Sequence, residues 1–157
     1  MKFDSPMIIL KNIEKSKKFY QNVLKQTIKT DLKSYLIWSG DFSMMSQEQW
    51  QEATGLSPYK TARCNSFELY FEEEDYDDFI LHLNNYEGIS YVHRTKEFPW
   101  GQRGMRFYDI DNHIIEVAES MTSVAKRFLT LGYSIDETAE KIMFPREFVE
   151  ECSTLNR

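Results

Sequence analysis

Residues 99–117 read PWGQRGMRFYDIDNHIIEV and carry the pattern of a loop, a strand, a tight turn and a second strand. Met105 to Tyr108 alternate apolar side chains with longer polar or amphipathic ones, which is typical of a half-buried strand. Residues 109–112, DIDN, favour a turn because Asp and Asn side chains hydrogen-bond to nearby backbone and Asn tolerates positive φ. A second strand is predicted from His113 to Val117, so the whole stretch predicts a β-hairpin.

Glu116 is the residue of this hairpin that most needs an explanation. It is a single carboxylate in a strand of mainly apolar and β-branched residues. An acid in that position is costly unless it is solvated, paired or used in chemistry. Glu116 is therefore a candidate catalytic or metal-binding residue, and a salt bridge with an arginine is the structural alternative.

Length and charge limit the class of protein. A chain of 157 residues is one domain, or one domain with an appendage. Its 41% apolar and 15% aromatic residues provide enough side chains for a core. The net charge of −6 and the pI near 5.1 argue against a nucleic-acid or anionic-membrane partner, because such surfaces need clustered Lys and Arg.

Cysteines and termini predict the compartment. Cys64 and Cys152 lie far apart and form no CxxC pair, which favours free thiols in a reducing compartment. The N-terminus lacks the apolar run of a signal peptide, and no stretch approaches the roughly 20 apolar residues of a membrane-spanning helix. We expect a soluble cytoplasmic protein.

The chain repeats one order of elements, namely strand, helix and three strands. The two copies span about residues 1–55 and 62–118. Their helices begin after the N-cap candidates Asn12 and Asp75, which are 63 residues apart. A short additional helix is predicted over 46–54, capped by Ser46. The repetition predicts an α+β fold in which two similar modules share one architecture.

Residues 121–157 depart from this order and predict a helical appendage to a domain of residues 1–120. Met121 to Leu131 form one predicted helix, and Ser134 with Glu137 has the spacing of a capping box for the next. Pro145 suits the first turn of a last helix. The tail resembles a helix-turn-helix fragment, but it has five basic and six acidic residues, so packing is favoured over DNA binding.

Two motifs resemble the glyoxalase/bleomycin-resistance/dioxygenase family of the vicinal oxygen chelate superfamily. They are PMIILKNIEKSKKFYQNVL at residues 6–24 and FPWGQRGMRFYDIDNHIIEV at residues 98–117. The resemblance covers about residues 1–118 and implies two βαβββ repeats that form a curled, cup-like mixed sheet. It also implies a homodimer, because paired cups in this family are commonly built across subunits.

Metal-using members of the family place ligands early in the first strand and in the last strand of each repeat. Carried over to this chain, those positions are Ser5, Met44, Glu68 and Glu116. Two carboxylates without an imidazole are poor ligands for zinc, iron or nickel. They suit at most a weak, water-supported Mg²⁺ or Mn²⁺ site. Glu68 and Glu116 are thus the candidate metal ligands, with paired or exposed acids as the alternative.

Aromatic and basic side chains near the motifs are the candidate ligand-binding residues. Trp100 follows Pro99 in the loop that borders the cup mouth in the resembling family, where it could stack on a planar molecule. Strand parity puts Arg106 on one face with Tyr108 and leaves open whether that face lines the cup. The candidate set is Trp38, Tyr70, Trp100, Arg103, Arg106 and Tyr108. His113, one step after the turn, is predicted to be a structural histidine.

Three functions remain open from the sequence. The first is a small-molecule binding protein of the bleomycin-resistance type, which would hold a planar or cationic ligand in an acidic, aromatic cup. The second is a lyase or isomerase of the glyoxalase type that uses Glu116 as general base or metal ligand. The third is a domain that only contacts protein partners through its tail. We expect the tail to cover a sheet edge or the cup mouth.

Overall fold

The structure, a computed structural model, describes residues 1–56, 63 and 65–154. These residues form two compact units. Unit 1 comprises Met1–Phe67 and Tyr108–His113, and unit 2 comprises Glu68–Phe107 and Ile114–Arg157. The predicted βαβββ order occurs twice, so the predicted α+β fold with two such modules and C-terminal helices is confirmed.

The first module carries an additional helix after its last strand. Its elements are β1 (Met7–Leu10), α1 (Ile13–Asn22), β2 (Ile28–Asp31), β3 (Tyr35–Trp38), β4 (Ser43–Ser46) and α2 (Gln47–Thr54). The second module and the tail contain β5 (Glu68–Glu73), α3 (Tyr76–Leu83), β6 (Ser90–Glu97), β7 (Arg103–Tyr108), β8 (Ile114–Glu119), α4 (Met121–Thr130), α5 (Ile135–Ile142) and α6 (Arg146–Thr154).

Unit 1 is built on a four-stranded mixed sheet of order β1-β4-β3-β2, in which β1 and β4 are parallel. Helix α1 begins where the sequence predicts, since the Asn12 side chain accepts a hydrogen bond from the Lys15 backbone N–H. The core of the unit is aromatic. Trp38 stacks on Phe42 with ring centroids 5.7 Å apart, and Tyr20 packs against both.

The turn after β7 belongs to unit 1 and is organised by buried Asp109. Its carboxylate accepts hydrogen bonds from the backbone N–H groups of Asp111 and His113 at 2.9 and 2.8 Å. The Tyr20 hydroxyl donates to it at 2.8 Å, and His113 Nδ1 lies 2.8 Å away. Asn112 adopts a φ of 68°, as its side-chain type permits. The predicted turn and the structural role of His113 follow from this one acceptor.

Unit 2 repeats the sheet order as β5-β8-β7-β6, with β5 parallel to β8. Leu69, Met105 and Phe107 are buried on the face that α3 covers, as their alternation predicts. The register pairs Tyr70 with Glu116 across the parallel strands, so their side chains lie on the other face. Strand β8 ends at Glu119, two residues beyond the predicted end of the hairpin at Val117.

The C-terminal helices pack around a small hydrophobic cluster of their own. Buried Val124, Phe128, Ile142 and Val149 contribute to it, and Trp100 packs against it from the loop before β7. The predicted capping box is confirmed, since Ser134 and Glu137 exchange hydrogen bonds. The cluster gives the tail a fold of its own, anchored on that loop.

Several expectations shift in detail. Strand β2 is shorter than the predicted Gln26–Lys33, because Lys25 and Lys33 adopt positive φ. Asp75 stands at the N-cap of α3, but its side chain makes no capping hydrogen bond within the described residues. Cys152 is buried as a free thiol, and Cys64 lies outside the described residues. No helix in the described part of the chain is long and apolar enough to span a membrane.

Candidate functional site

The side of the unit 2 sheet opposite α3 gathers four of the candidate residues. Glu68, Tyr70, Arg106 and Glu116 share this side, which we call the acidic face. The sequence leaves open which side of β7 would face a ligand. Burial of Met105 and Phe107 on the helix-covered side assigns Arg106 to the open one.

Arg106 lies between the two candidate acids and hydrogen-bonds to both. Its Nε donates to Glu68 Oε2 at 2.8 Å, and its Nη2 donates to Glu68 Oε1 at 3.3 Å. The same Nη2 donates to Glu116 Oε2. The guanidinium therefore occupies the space between the carboxylates and supplies a fixed positive charge there.

His93 completes the surroundings of the guanidinium. Its Nε2 lies 3.3 Å from Arg106 Nη1, and its Nδ1 lies 2.9 Å from the carbonyl oxygen of Arg94. A carbonyl oxygen only accepts, so Nδ1 must carry the hydrogen, and Nε2 is then free to accept from Arg106. The two contacts assign one neutral tautomer to the imidazole.

Glu68 and Glu116 respond to this environment in opposite ways. Hydrogen bonds from Arg106 lower the pKa of Glu68. Burial raises the pKa of Glu116 to about 7, because desolvation and the hydrogen bond with Glu68 outweigh the attraction of Arg106. Glu116 is only 5% exposed, which explains the size of the effect. Below about pH 7 the pair therefore holds a proton on Glu116 and a negative charge on Glu68.

Aromatic side chains border the acidic face. Phe98 stacks on Trp100 with centroids 4.9 Å apart and meets the His93 ring edge-on. Gly104 makes room for it, since a Cβ there would lie 3.0 Å from the Phe98 ring and 3.6 Å from Glu116 Oε1. These contacts form an aromatic wall beside the buried acid.

Tyr70 supplies the exposed aromatic surface of the acidic face. Gln102 Nε2 donates to its hydroxyl at 3.0 Å, while Trp100 Nε1 donates to Gln102 Oε1 at 2.9 Å. Burial of the hydroxyl end raises the pKa of Tyr70 to about 12, so the phenol stays neutral. The residue as a whole is 47% exposed, so part of its surface is open to a ligand.

Arg103 belongs to a different network of hydrogen bonds and ion pairs from that of Arg106. It donates to Asp77 at 2.8 Å and to Glu119 at 3.1 Å, and Arg127 of α4 donates to Glu119 at 2.9 Å. Burial alone would raise the pKa of Glu119, but hydrogen bonds from Arg127 and Arg103 outweigh it and hold that pKa below its usual value. This network ties α3, the end of β8 and α4 together.

The other candidates lie in unit 1. Trp38 is 0% exposed and belongs to the aromatic core, so it offers no surface to a ligand. The Tyr108 hydroxyl donates to Asn65 Oδ1 at 2.9 Å. Of the two further ligand positions, Ser5 bonds to the Ser43 hydroxyl and Met44 is fully buried.

The side chains at the family's ligand positions do not fit a divalent metal. Among residues 1–56, 63 and 65–154, no group of three or more His, Cys, Asp or Glu side chains is arranged to hold one. Glu68 and Glu116 direct oxygens at a guanidinium that fills the space between them, where a metal ion would have to sit. A second cation between them would be repelled by Arg106.

His93, Phe98 and Gln102 are the site residues that sequence reasoning missed. His93 lies within β6 and Phe98 directly follows it, and the alternation of that strand does not reveal their contacts. Gln102 precedes β7, and its position directly after the Trp100-Gly101 pair is the only signal that could have drawn attention to it. Each is recognisable only by its contacts with residues distant in sequence.

Comparisons with known proteins agree with the fold. The sequence model of the Glyoxalase-like domain matches residues 3–122. A protein of unknown function from Agrobacterium tumefaciens is 30% identical with a TM-score of 0.69, covering 76% of this chain and 94% of its own. None of the curated proteins matches the chain.

Two more distant structures show the same fold. A glyoxalase/bleomycin resistance protein/dioxygenase from Nocardioides is 16% identical with a TM-score of 0.61 and covers 76% of this chain and 83% of its own. A glyoxalase-related enzyme from Fulvimarina pelagi is 19% identical with a TM-score of 0.58, and the shares are 73% and 86%. On the family match to residues 3–122 and the doubled βαβββ fold, this chain belongs to the Glyoxalase-like domain family.

Proposed function

We propose that the protein binds a planar, cationic small molecule on the acidic face and does so without a metal ion. The observation that carries this proposal is the placement of Arg106 between Glu68 and Glu116, where a metal ligand pair would need an open coordination space. The guanidinium provides the internal positive charge that a metal would otherwise supply.

The ligand class follows from charge and exposure on the acidic face. Glu68 keeps its negative charge because of the lowered pKa, and its side chain is 37% exposed, so it can meet a cationic group. The exposed ring of Tyr70 offers a surface for stacking. The proposed lining consists of these two residues, with Arg106 as the positioning cation and Trp100 behind them; Trp38 is not part of it.

Metal titration tests the metal-independent part of the proposal. The purified wild-type protein is expected to hold no stoichiometric divalent metal and to give no calorimetric signal with MnCl₂. Arg106→Ala removes the competing charge and is expected to give a measurable calorimetric signal with MnCl₂, since carboxylates and water satisfy this ion. Arg146→Ala, which removes an exposed arginine on α6, is the control for charge alone. Stoichiometric metal in the wild type would contradict the proposal.

Ligand binding is tested with ethidium, a planar aromatic cation, by calorimetry and fluorescence. Glu68→Gln and Tyr70→Leu are each expected to weaken ethidium binding about five- to tenfold, because each removes one of the proposed contacts. Fluorescein, a planar anion, should bind poorly to the wild type. Equal affinity for the two dyes, or unchanged ethidium binding in both variants, would exclude the acidic face as the site.

A second candidate function rests on the pKa of Glu116. A carboxyl group with a pKa of about 7 can accept or donate a proton at neutral pH, as a general base of a glyoxalase-type lyase or isomerase must. In this alternative Glu116 removes a proton next to a substrate carbonyl while Arg106 stabilises the developing negative charge. Turnover of a hemithioacetal that is abolished by Glu116→Gln, with the fold unchanged, would favour it over simple binding.

We further propose that residues 1–120 form the ligand-binding domain and residues 121–157 its appendage. From the family resemblance we propose a homodimer, and from the widely spaced cysteines a reducing, cytoplasmic compartment. Light scattering of the full chain tests the oligomeric state, and a monomer over the micromolar range would contradict it.

A further inference from the structure

The helix-covered side of the unit 2 sheet contains a second candidate site. A groove of about 330 Å³ opens between the C-terminal half of α3 and strands β6 and β7. Its volume is at the lower end of the range for small-molecule sites, so it suits a ligand of one or two rings rather than a large cofactor.

The lining of this groove combines an apolar floor with a polar rim. Ile80 and Leu83 of α3 and Met105 of β7 form the floor. Leu83 and Met105 are almost completely buried, so only a narrow apolar strip is presented to a ligand. Met side chains adapt to ligand shape, which favours an apolar body seated here. Asn84 and Thr95 stand at the rim as hydrogen-bonding groups.

Arg94 is the charged group of the rim. Its guanidinium lies over the Tyr91 ring, 4.4 Å from the centroid. A cation held over an aromatic face in this way can still donate N–H hydrogen bonds to a ligand. Tyr91 itself lines the groove and its ring meets Phe107 of the core, so the stacked pair has a fixed base.

Among the described residues, Arg94 differs from most other arginines in having no carboxylate partner. Arg103, Arg106, Arg127 and Arg146 each form an ion pair with a carboxylate. Across the described ranges 1–56, 63 and 65–154, no carboxylate forms an ion pair with Arg94. Since the chain has a net charge of −6, carboxylates are abundant, yet this guanidinium faces a groove instead.

We propose that the groove binds a small aromatic carboxylate. The rings lie on the floor of Ile80, Leu83 and Met105, and the carboxylate accepts paired hydrogen bonds from the edge of Arg94. Bidentate pairing of a carboxylate with a guanidinium gives both strength and orientation. The site lies on the opposite side of the sheet from the acidic face and takes a ligand of opposite charge.

Titration of ¹⁵N-labelled full-length protein with sodium 1-naphthoate tests this site by NMR. The largest amide shift changes are expected at Leu83, Asn84, Arg94 and Thr95. Arg94→Gln should weaken binding at least about tenfold, as loss of a charge-assisted contact does. Lys96→Gln removes the same charge from the same strand outside the groove, and it should leave the affinity within about twofold.

A neutral analogue separates the charge contact from apolar binding. Because 1-naphthalenemethanol has the same rings without the carboxylate, it is expected to bind at least about tenfold more weakly than naphthoate. The proposal is overturned if the shift changes lie at Tyr70 and Glu116 instead, if Arg94→Gln binds as the wild type does, or if the alcohol binds as tightly as the carboxylate.

Discussion

At the scale of single residues, the acidic face depends on how one cation is shared by two carboxylates. Arg106 donates to both, but only Glu116 is deeply buried. Burial therefore dominates at Glu116 and ion pairing dominates at Glu68, which explains why their pKa values move in opposite directions. The proton of the pair is therefore held by Glu116, the more deeply buried of the two acids.

This asymmetry predicts an effect of pH on stability. Because the folded-state pKa of Glu116 is about 7, above its usual 4.5, the native protein holds more protons than the unfolded chain between these values. The contribution of Glu116 to the free energy of unfolding therefore falls as pH rises from 4.5 to 7. Glu116→Gln imitates the protonated acid, so it should be more stable than the wild type at pH 8, by up to about 3 kcal/mol.

Urea unfolding of both proteins at pH 5 and pH 8 measures this difference. Near pH 5 the two free energies should differ by no more than about 1 kcal/mol, since Glu116 is still protonated in the native state and has only begun to favour the ionised unfolded chain. Both proteins share all other titrating groups, so the comparison isolates the substituted side chain. A glutamine variant that is less stable than the wild type at pH 8 would mean that the Arg106 ion pair outweighs burial.

Residue-level prediction succeeded where type and strand position sufficed and failed where a distant partner decides. The position of Glu116 in an apolar strand was enough to single it out. Its pairing with Arg106 depended on which side of β7 is covered, and only packing of Met105 and Phe107 settles that. Trp38 was a candidate ligand-binding residue but lies in the core, because the sequence pattern around a large aromatic residue in a strand is the same in a core and in a binding site.

At the scale of elements, the turn of residues 109–112 depends on Asp109. Its carboxylate accepts hydrogen bonds from the Tyr20 hydroxyl and two backbone N–H groups, and it contacts the His113 ring nitrogen Nδ1. Asp109→Ala should lower the free energy of unfolding by about 3–4 kcal/mol, because several buried donors lose one acceptor together. Tyr20→Phe removes one donor only and should cost about 1–2 kcal/mol. Asp4→Ala, at an exposed site, is the control in chemical denaturation; equal stability of all three variants would contradict the role of Asp109.

Gly101 fixes how closely α4 approaches the loop before β7. Its φ is +83°, and a Cβ there would lie 2.4 Å from the Phe128 ring. Gly101→Ala should therefore cost about 2–4 kcal/mol, from backbone strain and overpacking together. Gly132→Ala is the matched control: its φ is +95°, but a Cβ would meet open space among the described residues, so only strain of about 1 kcal/mol applies. Thermal unfolding of both variants compares the two, and equal costs would mean that Phe128 moves aside freely.

Elements were predictable where local chemistry sets their ends. Asn12, Ser46 and Ser134 each cap a helix at the residue that the sequence indicates, because capping needs only a side-chain oxygen and the next turn. Asp75 has the same side-chain type but does not cap within the described residues, since its backbone conformation differs. The ends of β2, β7 and β8 shifted by up to two residues, because neighbouring strands decide them.

At the scale of the whole molecule, the doubled βαβββ order was readable because each copy repeats the same alternation and cap. The fate of the tail was not, since its helices have amphipathic patterns that any apolar surface would satisfy. In the structure that surface is the loop before β7. Trp100 packs against the helical cluster, Lys141 donates to the Pro99 carbonyl oxygen, and Arg127 donates to the Gly101 carbonyl oxygen and to Glu119. The tail therefore holds the loop of residues 98–102, whose Gln102 in turn holds Tyr70.

Truncation after Ser120 should therefore affect both stability and the acidic face. The shortened chain loses the apolar cover of Trp100 and one partner of buried Glu119, at a cost of about 2–4 kcal/mol by urea unfolding. Arg127→Gln in the full chain separates the ionic share of this cost from the apolar share.

In the truncated chain Gly101→Ala should cost only the strain of about 1 kcal/mol, because Phe128 is gone. Unchanged stability on truncation, or an undiminished cost of Gly101→Ala, would mean that the tail does not pack on this loop. If the loop does depend on it, ethidium binding at Tyr70 should weaken as well, which would make the tail a support of the site.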